Sequence, residues 1–107
     1  MTTFDNREQA YENKFAHEQD MAFRVTARRN RLVGEWAAGK MKLTAAETDS
    51  YSKSVVQAEF EELGDEDVVR KLLGDITAAG IDTSEAEVRA ALEKFNVEAR
   101  RQLMESK

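Results

Sequence analysis

From Asp20 onward the apolar residues return at three- and four-residue intervals, in four runs broken by short polar interruptions. Ala22, Val25, Leu32 and Trp36 form the first stripe and predict a core helix over about 20–41. Thr44 followed by Glu47 is a capping box, in which the hydroxyl and the carboxylate each serve a free backbone N–H. It opens a second helix over about 45–63, with Tyr51, Val55, Val56, Phe60 and Leu63 on its apolar side. Gly64 suits a left-handed stop. Asp65 is then expected to cap a third helix over about 66–79, and Glu66 and Asp67 suit the positive end of its dipole. Its face is Val68, Val69, Leu72, Leu73 and Ile76, with Gly74 tolerated inside it and Gly80 ending it. Ser84 with Glu87 is a second capping box, opening a helix over about 85–104 that carries Val88, Leu92, Phe95, Ala99 and Leu103. Short links between such helices favour antiparallel neighbours. The pattern predicts an all-α four-helix bundle over 20–107.

Residues 1–19 break this regularity. In "FDNREQAYENKFAH", residues 4–17, Phe4, Tyr11 and Phe15 share a side but lack the aliphatic density of the later stripes. An isolated segment of this length is marginal as a helix. It reads as an N-terminal arm, disordered or partly helical when free.

Composition narrows the chemistry. With 107 residues the chain is one domain long, and a complete lack of proline favours uninterrupted helices. Without cysteine there is no disulfide framework, thiolate metal site or thiol nucleophile. No secretory leader pattern and no membrane-spanning apolar run is read at the sequence level, so a cytoplasmic, monomeric protein is expected. The net charge of −5 argues against general phosphate-backbone binding, so no nucleic-acid partner is expected. Arg24, Arg28, Arg29 and Arg31 nevertheless form a basic cluster, and Asp65, Glu66 and Asp67 an acidic one. Solvated helix faces or pairing between neighbouring helices account for both more simply than a partner site does.

Enzymatic readings fail in turn. His17 is the single histidine, so a Ser–His system has one candidate base and a metal site one imidazole. The glycines form no phosphate loop, and the carboxylates sit at ordinary helical surface spacing. His17 lies one turn before Asp20 at the junction of arm and bundle, where it is a candidate pH-sensitive group. An exposed histidine without a regulatory role is the simpler reading.

Three separated stretches carry a resemblance: "FDNREQAYENKFAH" at 4–17, "ARRNRLVGEWAA" at 27–38 and "FEELGDEDVVRK" at 60–71. In order and spacing they resemble the ζ-subunit family of ATPase inhibitors of α-proteobacteria, with looser similarity after about Ala79. The resemblance implies a four-helix protein that binds the catalytic head of the F-type ATP synthase and blocks ATP hydrolysis. Its inhibitory part is the N-terminal segment, which enters a catalytic α/β interface near the γ shaft. Here that segment holds Phe4, Arg7, Glu8, Tyr11, Lys14 and Phe15 as F1-binding candidates. The implied location is the inner face of the membrane, through F1, with no cofactor of its own.

Two other readings stand beside this one. Arg28, Arg29 and Arg31 could meet ATP or ADP, or an acidic partner, making the bundle a nucleotide sensor. Alternatively, the bundle is a helical adaptor on the synthase whose arm inhibits weakly or not at all.

Overall fold

In a computed structural model, the described residues are 3–58 and 65–105, with side chains described from Asp20 onward. Among them four helices follow one another: α1 (Thr3–Lys40), α2 (Ala45–Ala58), α3 (Glu66–Ala78) and α4 (Glu85–Glu105). Among the described residues there is no strand. The expected core helix forms the C-terminal part of α1. Phe60, Leu63 and Gly64, assigned at the sequence level to the end of the second helix, lie outside the described residues.

The ends of the helices show why the chain turns where it does. After α1, Leu43 N–H donates to Ala38 (3.1 Å) and Lys42 N–H to Gly39 (3.2 Å), closing a Schellman turn. Its left-handed position is held by Lys42, at φ 59°, and not by a glycine. Thr44 follows at once: its N–H donates to Glu47 Oε1 (2.8 Å), and Glu47 N–H donates to Thr44 Oγ1 (3.2 Å). Both halves of the predicted box therefore form. The same turn closes α3, with Gly80 at φ 82°. Gly80 N–H reaches Thr77 (2.9 Å) and Ile81 N–H reaches Ile76 (3.2 Å). Ile81 also packs onto the core, supplying the apolar contact that accompanies this turn.

Two caps differ from expectation. Asp65 stands at the N-cap of α3, yet its carboxylate makes no capping bond, because both oxygens accept from Arg29 instead. Ser84 Oγ does accept from Glu87 N–H (3.2 Å), but the Glu87 carboxylate is taken by the Thr83 hydroxyl and Lys40 Nζ. Long-range cations outbid the local backbone at both places.

Val33, Ala37, Val55, Val68, Val69, Leu72, Ile76, Val88 and Leu92 meet in a single core cluster, joined at its edge by Trp36, Tyr51, Leu73 and Phe95. A fully buried side chain such as Leu72 or Ile76 contributes about 1.5–3 kcal/mol of transfer free energy. The predicted faces of α3 and α4 point inward as expected. On α1 the stripe is corrected: Ala22 is exposed, Leu32 and Trp36 are half-buried, and the inward face is Val25, Arg29, Asn30, Val33, Ala37 and Ala38. Two polar residues occupy core positions, so the apolar pattern alone drew the stripe in the wrong register. Where α1 crosses α2, Gly34 meets Ser52 so closely that a Cβ on Gly34 would lie 2.9 Å from Ser52 Cα.

Candidate functional site

The basic stretch of α1 divides among three environments. Arg29 is buried. Its Nε and Nη2 donate to Asn30 Oδ1 (3.0 and 2.9 Å), and its Nη1 and Nη2 donate to the two Asp65 oxygens (3.2 and 2.9 Å). Arg31 is half-buried and donates to Asp49 on α2 at 2.8 Å. That hydrogen bond raises the arginine further above its usual value, and with Lys53 it holds the Asp49 carboxyl below the usual range. Arg28 is exposed. The three arginines proposed for a nucleotide or acidic partner are thus not brought together.

A groove between α1, α3 and α4 is lined by Arg29, Asp65, Arg89, Leu92, Glu93 and Asn96. Its two guanidiniums are already engaged, Arg29 by Asp65 and Arg89 by both oxygens of Glu66 (2.9 and 3.0 Å). The bundle holds another polar set. Tyr51 hydroxyl and Lys71 Nζ both donate to Asp75 Oδ2, at 2.8 and 3.1 Å, while Lys71 lies 5.1 Å from the centre of the Tyr51 ring. Burial first, and then the Asp75 carboxylate, push the Tyr51 phenol well above its usual range. Such a set joins α2 to α3.

At the far end of α1, Lys40 reaches Glu87 at 2.6 Å and lies over the Trp36 ring, 5.1 Å from its centre. This Lys40 bond is the main reason the Glu87 carboxyl is held below its ordinary value. The pair also fixes how α4 lies on α1, antiparallel, with the start of one beside the end of the other. No group of histidine, cysteine, aspartate and glutamate suited to a metal ion occurs among the described residues. None of the helices there is long and apolar enough to cross a membrane.

The proposed F1-binding residues Phe4, Arg7, Glu8, Tyr11, Lys14 and Phe15, and also His17, lie on the N-terminal half of α1; their side chains fall outside the described residues. Sequence reasoning missed the Arg29–Asn30 pair as a core element. The signal available for it was the "RN" dipeptide at two inward helical positions, with an acidic cluster 36 positions further on.

The comparisons decide the family. A family model for ATPase inhibitor subunit zeta matches residues 1–102, nearly the whole chain and in one piece. The chain belongs to that family. It is also similar to a protein whose solution NMR structure is known, with 44% sequence identity and a TM-score of 0.72. The match covers 81% of this chain and 99% of that one. No curated protein matches. Membership of the ζ-subunit family makes an inhibitory, regulatory role the frame for the geometry above, in which the Arg29–Asp65, Arg31–Asp49, Lys40–Glu87 and Arg89–Glu66 pairs join helices.

Proposed function

We propose that the chain is the inhibitory ζ subunit of an F-type ATP synthase, and that residues 1–19 act as an arm inserted into a catalytic α/β interface near γ. The observation that carries this reading is the family match, which begins at residue 1 and takes in the arm together with the bundle. The physical support is a division of labour. Among the described side chains the core cluster is assembled from Val33 onward, on the bundle side of the chain. About 18 residues of helix span about 27 Å, enough to reach into a subunit cleft.

In this reading Phe4, Tyr11 and Phe15 are the apolar anchors, because aromatic side chains carry much of the energy of such interfaces. Arg7 and Lys14 pair with cleft carboxylates, Glu8 meets a cation, and the bundle stays outside as a stop. Occupying the interface prevents the closure that hydrolysis needs, so the inhibitor performs no chemistry. The partners are the α, β and γ subunits, and the site of action is the cytoplasmic face of the membrane, where F1 projects.

Removing residues 1–19 tests the reading in an ATP hydrolysis assay on the cognate F1. Loss of inhibition with an intact thermal transition is the expected result. Full inhibition by the shortened chain would disprove the arm mechanism.

A further inference from the structure

Eight arginines fall among the residues with described side chains, and six of them hold a carboxylate: Arg24, Arg29, Arg31, Arg70, Arg89 and Arg101. The two that hold none among the described residues are Arg28 and Arg100, both exposed. In a chain of net charge −5, with acids in excess, two unanswered guanidiniums stand out from the pattern.

They also lie at the same height in the bundle. Lys40 pairs with Glu87, and from there α1 and α4 run back antiparallel at the same rise per residue. Arg28 lies twelve residues before Lys40, and Arg100 thirteen after Glu87. The same construction sets Phe23 level with Met104, each seventeen residues from the Lys40–Glu87 pair. Phe23, Val97 and Met104 are the large apolar residues left exposed among the described ones, at 54%, 67% and 64%. The two unanswered arginines and the exposed apolar groups therefore gather towards one end of the bundle, the end from which the N-terminal half of α1 departs.

We propose that Phe23, Arg28, Val97, Arg100 and Met104 form a collar around the root of the arm. It seats against an acidic and partly apolar surface of the ATPase head at the mouth of the cleft. The inference rests on the arm reading above, since α1 continues from the arm into the collar and places it at whatever surface the arm enters. Arginine, methionine and aromatic residues are the types enriched in protein interfaces. The charge selects the occupant: a carboxylate-bearing surface answers Arg28 and Arg100. A second copy docked symmetrically through this end would bring like guanidiniums towards each other. The collar thus adds affinity outside the cleft and limits how deep the arm can go.

The test uses full-length protein and cognate F1. Two collar variants, Arg28→Ala/Arg100→Ala and Val97→Ser/Met104→Ser, are compared with an arm variant, Phe4→Ala/Tyr11→Ala/Phe15→Ala. The readouts are the concentration for half-inhibition of ATP hydrolysis, its salt dependence, and the melting temperature. The expected result is a rise of roughly tenfold for each collar variant at unchanged melting temperature. The arginine variant should also show a weaker salt dependence. Collar variants that inhibit like wild type, while the arm variant fails, would overturn the collar and leave the arm reading standing. An arm variant that still inhibits, beside weakened collar variants, would overturn the arm reading alone. Light scattering that finds a wild-type dimer broken by the collar substitutions would assign the surface to a second copy, and the proposal would fall.

Discussion

Arg29 and Asp65 are 36 positions apart in sequence, yet the guanidinium meets both oxygens of the carboxylate, at 2.9 and 3.2 Å. The two ends of this bond differ in exposure: the Arg29 side chain is 8% accessible and that of Asp65 44%. Removing the exposed partner takes a carboxylate away from a buried charge, whereas removing the buried one leaves a carboxylate that water can reach. Asp65→Ala is therefore expected to destabilise the bundle by about 2–3 kcal/mol, and Arg29→Met, which keeps an apolar stem, by less. Urea denaturation of both variants checks the order; equal losses would show that the asymmetry does not matter.

The α1–α2 crossing gives a second expectation. Alanine at Gly34 would press its Cβ against the Ser52 backbone, and that atom cannot swing aside. Gly34→Ala should cost about 1–3 kcal/mol through overpacking, despite alanine's better helix propensity. Gly74 sits in α3 with nothing near its Cβ direction, so Gly74→Ala should stabilise by about 0.5–1 kcal/mol. Thermal melts of the two variants should move in opposite directions.

Lys42 holds a backbone conformation that suits glycine, at φ 59°. Lys42 is exposed and makes no ion pair among the described residues, so little is lost with its side chain. Lys42→Gly should raise stability by several tenths to about 1 kcal/mol, since a side chain in the left-handed region is strained. An unchanged or lower melting temperature would place the strain elsewhere.

Acid should weaken the fold through identifiable carboxylates. The Arg101 hydrogen bond, aided by Gln102, holds the Glu98 carboxyl down at about 2. Glu47 is lowered by the Thr44 N–H and hydroxyl, and Glu87 chiefly by Lys40. Each binds a proton less readily when folded than when unfolded, so its contribution is complete above the ordinary carboxylate pKa of about 4.3. It is lost as the pH falls through the depressed folded value. The melting temperature should hold near neutrality and fall between about pH 4.5 and about pH 2, with a shallower fall for Glu98→Gln.

Much of the architecture was legible because helix ends obey local chemistry. Thr44, Ser84 and Gly80 mark boundaries through bonds to residues three to five positions away, and each does so in the folded chain. The inward faces of α3 and α4 were legible because Val, Leu and Ile fill them. The inward face of α1 was not. Arg29 and Asn30 read as surface residues until Asp65 is known to lie opposite, and that knowledge requires the tertiary fold. The same long-range pairing took the Asp65 carboxylate away from the cap that local rules assign to it. At the candidate site, sequence alone marked the arginines as a group. Only the packing separates the structural Arg29 and Arg31 from the exposed Arg28.

The short links also bear on how the chain reaches this state. Lys42 and Thr44 close one helix and open the next within a few residues, so α1 and α2 can zip together from their joined ends. Contacts between neighbouring helices bring together residues close in sequence, and chains built that way fold fast. The Arg29–Asp65 bond, like the Lys40–Glu87 pair, is of longer range, since it needs α3 delivered back to the middle of α1. It is expected to form late, after the transition state, and to be the tie whose loss speeds unfolding while leaving the folding rate nearly unchanged.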